Sequence, residues 1–287
     1  MVKKGQPSIR KVVYRSPADA PFGIEVMSFG QLRAMAEPAW RAAPQRPDFH
    51  VLGIVEQGTG HHTADFQRYP LRPGSVLWIR PGQVHRLDGV EQVDGTLVLF
   101  QPDFLTPGTH AAGVAADLFT PSGWDLDSRR DTLAVLALEH LRTEYAHGAG
   151  DPPAMRTELL RQLLTVLVLR ITPRPDTPPQ PRSDAFSLFR HAVERDFASS
   201  RRVSRYARQL GYSARTLSRA TFAATGTGAK EFIDARVMLE AKRLLAHGDL
   251  TVIQCAHRLG FHDAANFSKF FEQRAGLTPG AFRQSAR

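Results

Sequence analysis

AHRLGFHDAANFSKFF, Ala256–Phe271, repeats a phrase already present at Ala207–Phe222, ARQLGYSARTLSRATF. Both open with Ala-x-x-Leu-Gly and an aromatic residue, then continue as a run of small, polar and basic residues at helical spacing. In the first copy Val203, Ala207 and Leu210 share one helical face, Gly211 permits a sharp turn, and Tyr212 covers it. Ser213 is a good N-cap for the helix that follows. There Leu217 must point inward, which leaves Arg215, Ser218 and Arg219 on an outward stripe at spacings of three and four. A short helix, a glycine-bearing turn and a second helix with a polar, arginine-containing face make a helix-turn-helix. Its second helix suits the major groove, where arginine can donate two hydrogen bonds to guanine.

The second copy keeps the plan. Val252, Cys255, Ala256 and Leu259 form its inner face, Gly260 the turn and Phe261 the cover. Phe267 and Phe271 then face inward, and His262, Ala265, Asn266 and Lys269 face out. Asparagine can read adenine, and lysine suits guanine or a phosphate. The helix expected over Ala229–His247 separates the copies. At 1.5 Å per residue it spans roughly 28 Å, of the same order as the ~34 Å between major-groove segments one turn apart. Two readers at that distance would engage two successive segments of one groove.

The last hundred or so residues resemble the DNA-binding domain of the AraC-type transcription regulators. The resemblance rests on ARQLGYSARTLSR, on ARVMLEAKRLLA at Ala235–Ala246, and above all on LGFHDAANFSKFFEQRAGLTPGAFR at Leu259–Arg283. The family's closing signature is met at Gly260, Phe261, Phe267, Ser268, Lys269, Phe271, Gly276, Thr278, Pro279, Phe282 and Arg283. Two departures are small: Cys255 stands where a larger aliphatic is usual, and Lys269 where arginine is commoner. The resemblance implies base contacts from Arg215, Ser218 and Arg219 in the first reader and from Ala265, Asn266 and Lys269 in the second. Ser213 and His262 fall where phosphate contacts are implied.

Charge agrees with this division. The chain of 287 residues carries a formal charge of +9, yet residues 1–181 hold 19 Lys+Arg against 19 Asp+Glu, so the whole excess lies in residues 182–287, with 18 against 9. A basic unit is drawn to polyanions, and nucleic acid is the commonest of these. The charge balance changes at ITPRPDTPPQPRSD, Ile171–Asp184, whose five prolines read as an extended spacer. The single cysteine excludes an intrachain disulfide framework and a multi-cysteine zinc site. No apolar run reaches bilayer length and the N-terminus lacks a signal-peptide core, so a cytoplasmic protein is expected.

Upstream, residues from about 20 to 105 read as β-structure. FHVLGIV at Phe49–Val55, VLWI at Val76–Ile79 and LVLF at Leu97–Phe100 are bounded by QGTG, RPG, RPGQ and two Asp-Gly turns, a pattern of sandwiches and barrels. LRPGSVLWIRPGQVHR, Leu71–Arg86, resembles the second half of a cupin motif, and regulators of the family often place such a barrel first as an effector sensor. His50, Leu52 and Ile54 share one strand face and Phe49, Val51 and Val55 the other, and whichever face points inward would help line a ligand cavity. The expected effector set is His50, Leu52, Ile54, Trp78 and His85. A metal is not expected: His61 and His62 are adjacent and so point to opposite faces, and Glu56 and Asp65 lie at the wrong spacing. From residue 127 the period becomes helical, with Leu133, Leu136, Leu141 and Tyr145, then Leu159, Leu160, Leu163, Leu164, Leu167 and Val168. These helices read either as a dimer surface or as a cover over the barrel.

The expected architecture is multidomain: a cupin-like β-barrel at 1–125 with two helices at 126–171, a Pro-rich linker at 172–183, and an all-α domain with two helix-turn-helix motifs at 184–287. The expected function is sequence-specific, effector-controlled DNA binding as a homodimer, with double-stranded DNA and a small molecule as partners, RNA polymerase as a further one, and no cofactor. The rival is a cupin-type metalloenzyme with a DNA-targeting tail.

Overall fold

The computed structural model describes residues 10–15, 23–117, 120–126, 131–147, 150–173, 184–247 and 250–285. The proline-rich spacer expected at 172–183 lies, beyond Thr172 and Pro173, outside these residues. The described residues divide into two compact units, 10–173 and 184–285.

The first unit runs β1 (Arg10–Val12), β2 (Ile24–Ser28), α1 (Phe29–Met35), α2 (Pro38–Ala42), β3 (Gln45–Pro47), β4 (His50–Gln57), β5 (Gly60–Ala64), β6 (Gln67–Leu71), β7 (Ser75–Ile79), β8 (His85–Asp88) and β9 (Asp94–Phe100). It closes with α3 (His110–Ala115), β10 (Gly123–Asp125), α4 (Asp131–His147) and α5 (Pro153–Ile171). Two five-stranded sheets form, in the orders β1-β3-β8-β5-β6 and β10-β7-β4-β9-β2. Among the described residues only β1 and β3 pair in parallel. Alternation along β4 gives it two apolar faces. Val51 and Val55 join Leu77, Ile79 and Leu97 with Leu71 and Leu87 of the other sheet, so this cluster is the core between the sheets. Leu52 and Ile54 point the other way, with Val76, Trp78, Val98 and Phe100, and pack against Leu138, Leu141, Leu160, Leu164 and Leu167 of α4 and α5.

The two helices thus cover the outer face of the second sheet. In α4, Ala134, Ala137, Leu138 and Leu141 are buried, whereas Leu133 and Leu136, which share the helical period with Leu141, are 47% and 58% exposed. The alanines belong to the buried stripe because small side chains let α4 approach its neighbours closely.

The second unit is all-helical: α6 (Asp184–Asp196), α7 (Val203–Leu210), α8 (Ala214–Thr225), α9 (Ala229–His247), α10 (Val252–Arg258), α11 (Ala264–Ala275) and α12 (Pro279–Ser285). One core holds it together, drawn from Phe186 and Phe189 of α6, Tyr206, Leu217, much of α9, and Cys255, Phe261, Phe267 and Phe271. Each large apolar side chain fully withdrawn from water there contributes about 1.5–3 kcal/mol. Arg283, the last residue of the closing signature, donates to the carbonyls of Leu245 at 3.2 Å and Leu250 at 2.5 Å, while Phe282 meets Phe271 edge-on at 5.3 Å. Both residues therefore tie the last helix down.

Candidate nucleic-acid interface

The two turns are built alike. Gly211 closes α7 at φ 71°, and the amide of Tyr212 donates to the carbonyl of Ala207 at 3.0 Å. Gly260 follows α10 at the same φ, 71°, and the amide of Phe261 donates to the carbonyl of Ala256 at 2.9 Å. Both are Schellman-type endings, in which a left-handed residue lets an amide satisfy a carbonyl five positions back. The second helices are capped alike too. Ser213 accepts from the amide of Thr216 at 3.0 Å, and Asp263 accepts from that of Asn266 at 2.7 Å.

The caps reveal a one-residue difference. Between glycine and cap lies Tyr212 in the first copy, but Phe261 and His262 in the second. Phe271 is therefore matched by Thr221 and not by Phe222. Thr221 is fully buried, its hydroxyl donating to the carbonyl of Leu217 at 2.7 Å, and Phe222 is 63% exposed. Cys255 is buried in the core.

Both predicted reading stripes face outward. Ser213, Arg215 and Arg219 are exposed and Ser218 is half-buried; His262, Ala265, Asn266 and Lys269 are all exposed. Leu217 faces inward in one helix and Phe267 with Phe271 in the other, as their spacing requires. Asn266 is not idle: its side-chain amide donates to Asp263 at 2.5 Å. Backbone and side-chain donation from Asn266 holds the Asp263 carboxyl below the usual carboxylate range.

Electrostatics inside this unit sharpen its outward charge. Asp234 sits between Lys230 and Arg274, the latter at 2.6 Å. Arg236 pairs with Glu194 at 2.7 Å and lies 3.9 Å over the Phe197 ring, and Glu240 meets Arg236 and Arg243 at 3.4 and 3.3 Å. Three of the unit's acidic residues are thus consumed by internal arginines.

A feature the sequence reading missed lies between the copies. Residues Ala198–Arg202, joining α6 to α7, line a cleft of about 460 Å³ with Ser204, Arg205 and Arg208 of α7 and with Leu259, Gly260 and His262. The string SSRRVSR, Ser199–Arg205, was its visible signal.

In the first unit the five expected effector residues separate. Leu52, Ile54 and Trp78 belong to the face covered by α4 and α5. His50 joins them, accepting from the Trp78 indole at 3.3 Å and stacked on Phe100 at 4.6 Å. Burial, then the charge of Arg80, lowers its pKa to about 3. Only His85 lies on the inner side, where it meets a residue left out of that set: His62, register-paired with the inward Leu87. His62 stacks on Tyr69 at 5.9 Å and lies 6.0 Å from His85, and neither of its ring nitrogens has a hydrogen-bond partner. Burial, reinforced by His85, lowers His62 to about 3, and burial, opposed by Asp65, lowers His85 to about 4. Both are neutral imidazoles at pH 7. The carboxylates are engaged elsewhere: Glu56 with Thr96 and Arg142, Asp65 with Gln83 and the Val84 amide. Among the described residues no cluster of three His, Cys, Asp or Glu is arranged to hold a metal ion, and no helix is long and apolar enough to cross a membrane.

Comparison with known proteins agrees with both halves. The AraC-like ligand binding domain family matches residues 30–164, and a helix-turn-helix domain family matches residues 206–285. The HTH-type transcriptional activator RhaS of Escherichia coli O139:H28 (strain E24377A / ETEC) is 29% identical over 243 residues, covering 83% of this chain and 86% of that protein. RhaS of Salmonella agona (strain SL483) is 28% identical over 242 residues, with the same coverage, 83% and 86%. Among solved structures, ToxT from Vibrio cholerae O395 is similar at 12% identity over 83% of this chain and 90% of that one, with a TM-score of 0.40. The chain thus matches the AraC-like ligand binding domain family at its front and a helix-turn-helix domain family at its back, and it is similar across both to the transcriptional activator RhaS.

Proposed function

We propose that the chain is a sequence-specific DNA-binding transcription regulator in which residues 184–287 read DNA and residues 1–125 sense a small-molecule effector, with the helices at 126–171 and a linker at 172–183 between them. One observation carries the DNA half. Two helix-turn-helix units with the same turn geometry each present an outward polar helix in the part of the chain that holds all the excess positive charge. In this reading Arg215, Ser218 and Arg219 contact bases from α8, Ala265, Asn266 and Lys269 do so from α11, and Ser213 and His262 touch phosphate. Asn266 must release Asp263 to present its amide to adenine, or the Asp263–Asn266 pair reads as one unit.

The effector half is supported by two neutral, buried imidazoles facing the core between the sheets, where a ligand with polar groups would satisfy both ring nitrogens of His62 and Nδ1 of His85. Such a ligand changes DNA occupancy or contact with RNA polymerase only by the difference in its affinity for two arrangements of the protein. A homodimer would double the readers on DNA, and exposed Leu133, Val135 and Leu136 offer α4 an apolar face for it. No catalytic step is assigned to the chain.

Replacing Arg219 by alanine is expected to weaken binding by about 1–3 kcal/mol and to relax preference at one base position. Titrating duplexes that carry every base at each position would reveal it. A loss equal for all sequences would make Arg219 a phosphate contact instead.

A further inference from the structure

The cleft between the two readers has a composition that the base-reading stripes do not use. Arg201, Arg202, Arg205 and Arg208 line it with Ser199, Ser200, Ser204 and the His262 ring. Its walls are fixed. Tyr206 donates its hydroxyl to the Ser200 carbonyl at 2.9 Å, Arg205 reaches the Ser199 carbonyl at 3.3 Å, and Gly260 is packed directly on the Ala198 carbonyl. Arg201 lies 3.5 Å over the Phe261 ring, so its guanidinium is held in place.

Little negative charge answers these guanidiniums. No ion pair joins Arg202 or Arg208 to a carboxylate among the described residues. The carboxylates nearest in the chain are occupied, Asp196 by Arg195 and Gln209 and Asp263 by the Asn266 cap. Guanidinium forks with hydroxyl donors beside them are phosphate-binding chemistry. Position selects the source. The cleft joins the first helix of one helix-turn-helix to the turn of the other. With readers in two successive major-groove segments, what lies between them is the minor groove and the phosphate strands that border it.

We infer that this cleft seats the DNA sugar-phosphate backbone between the two readers, with Arg202, Arg205 and Arg208 donating to phosphate oxygens and Arg201 held behind them. The assignment rests on the DNA-binding reading above and adds to it a site that sets affinity and register without reading sequence.

The test uses the full chain and the double variant Arg202→Ala/Arg208→Ala, titrated against a preferred and a scrambled duplex over a range of salt. Each lost phosphate contact removes about 0.9 from the slope of log K against log salt. The variant should therefore show a slope shallower by about 2, lose affinity by the same factor for both duplexes, and keep their ranking. Arg202→Lys/Arg208→Lys, which keeps the charges, should hold most of the slope, and equal helical melting curves would show that the variants fold. A wild-type slope in the alanine variant overturns the assignment, as does a changed ranking. Inorganic tripolyphosphate supplies the other arm. If it raises the melting midpoint of wild type but not of the variant while the DNA slope is unchanged, the cleft is a site for free phosphates and not for DNA. If wild type binds both duplexes equally and the variant still loses slope, the backbone site stands and sequence-specific reading fails.

Discussion

Gly260→Ala is expected to destabilise the C-terminal unit by about 3 kcal/mol or more, whereas Gly211→Ala, at the matching place in the first copy, costs about 1 kcal/mol. Both glycines have φ 71°, and alanine pays roughly 1 kcal/mol for that left-handed backbone. The surroundings differ. At Gly211 an added Cβ meets nothing within 4 Å, but at Gly260 it would lie 2.0 Å from the carbonyl oxygen of Ala198 and 3.1 Å from its carbon. The clash is with backbone, so no rotamer relieves it, and overpacking adds about 1–3 kcal/mol. All three tryptophans lie at positions 40, 78 and 124, so a helical circular dichroism transition in denaturant that tryptophan fluorescence does not share belongs to this unit. Equal losses in the two variants would contradict the docking of the second turn on the α6–α7 connector.

Acid is expected to unfold the N-terminal unit early. His50, His62 and His85 titrate near 3, 3 and 4 in the folded chain, against about 6.5 when unfolded. The unfolded chain therefore binds more protons as pH falls below 6.5. The stability these groups provide is complete above that pH and is lost as pH falls toward 3. With three such groups the slope approaches about 4 kcal/mol per pH unit. Unfolding followed by tryptophan fluorescence at pH 7, 6 and 5 should show it, before most carboxylates protonate. His62→Leu should flatten the slope by about a third and hold the unit more stable than wild type at pH 5, because it removes two buried, unpaired nitrogens. A midpoint constant from pH 7 to 5 would contradict the buried, neutral state of these rings.

The C-terminal unit was legible because its signals are local. Leucine, glycine, aromatic and cap follow one another at fixed spacing, so turn and outward stripe could be read together. The extra residue His262 was not, because the aligned phrases put Phe222 opposite Phe271 and only the caps show the shift. The N-terminal unit was read less completely. The β5–β6 hairpin turns at Asp65 and Phe66, both at positive φ (46° and 74°), without the glycine that signals such a turn. Period alone does not show which side of β4 faces the other sheet, since both sides are apolar, and of the expected effector set all but His85 lie on the helix-covered side. The arginine cleft escaped because it joins residues sixty positions apart in the chain, about Ser200 and His262, that only the packed core brings together.

The claim that two readers engage two successive groove segments meets its most direct test in selection from random duplexes by the full chain, followed by sequencing of the bound pool. The account predicts two enriched blocks whose centres lie about 10 base pairs apart, the block read by α8 losing definition in Arg219→Ala. A single enriched block, or a pool bound with no enrichment, would contradict it.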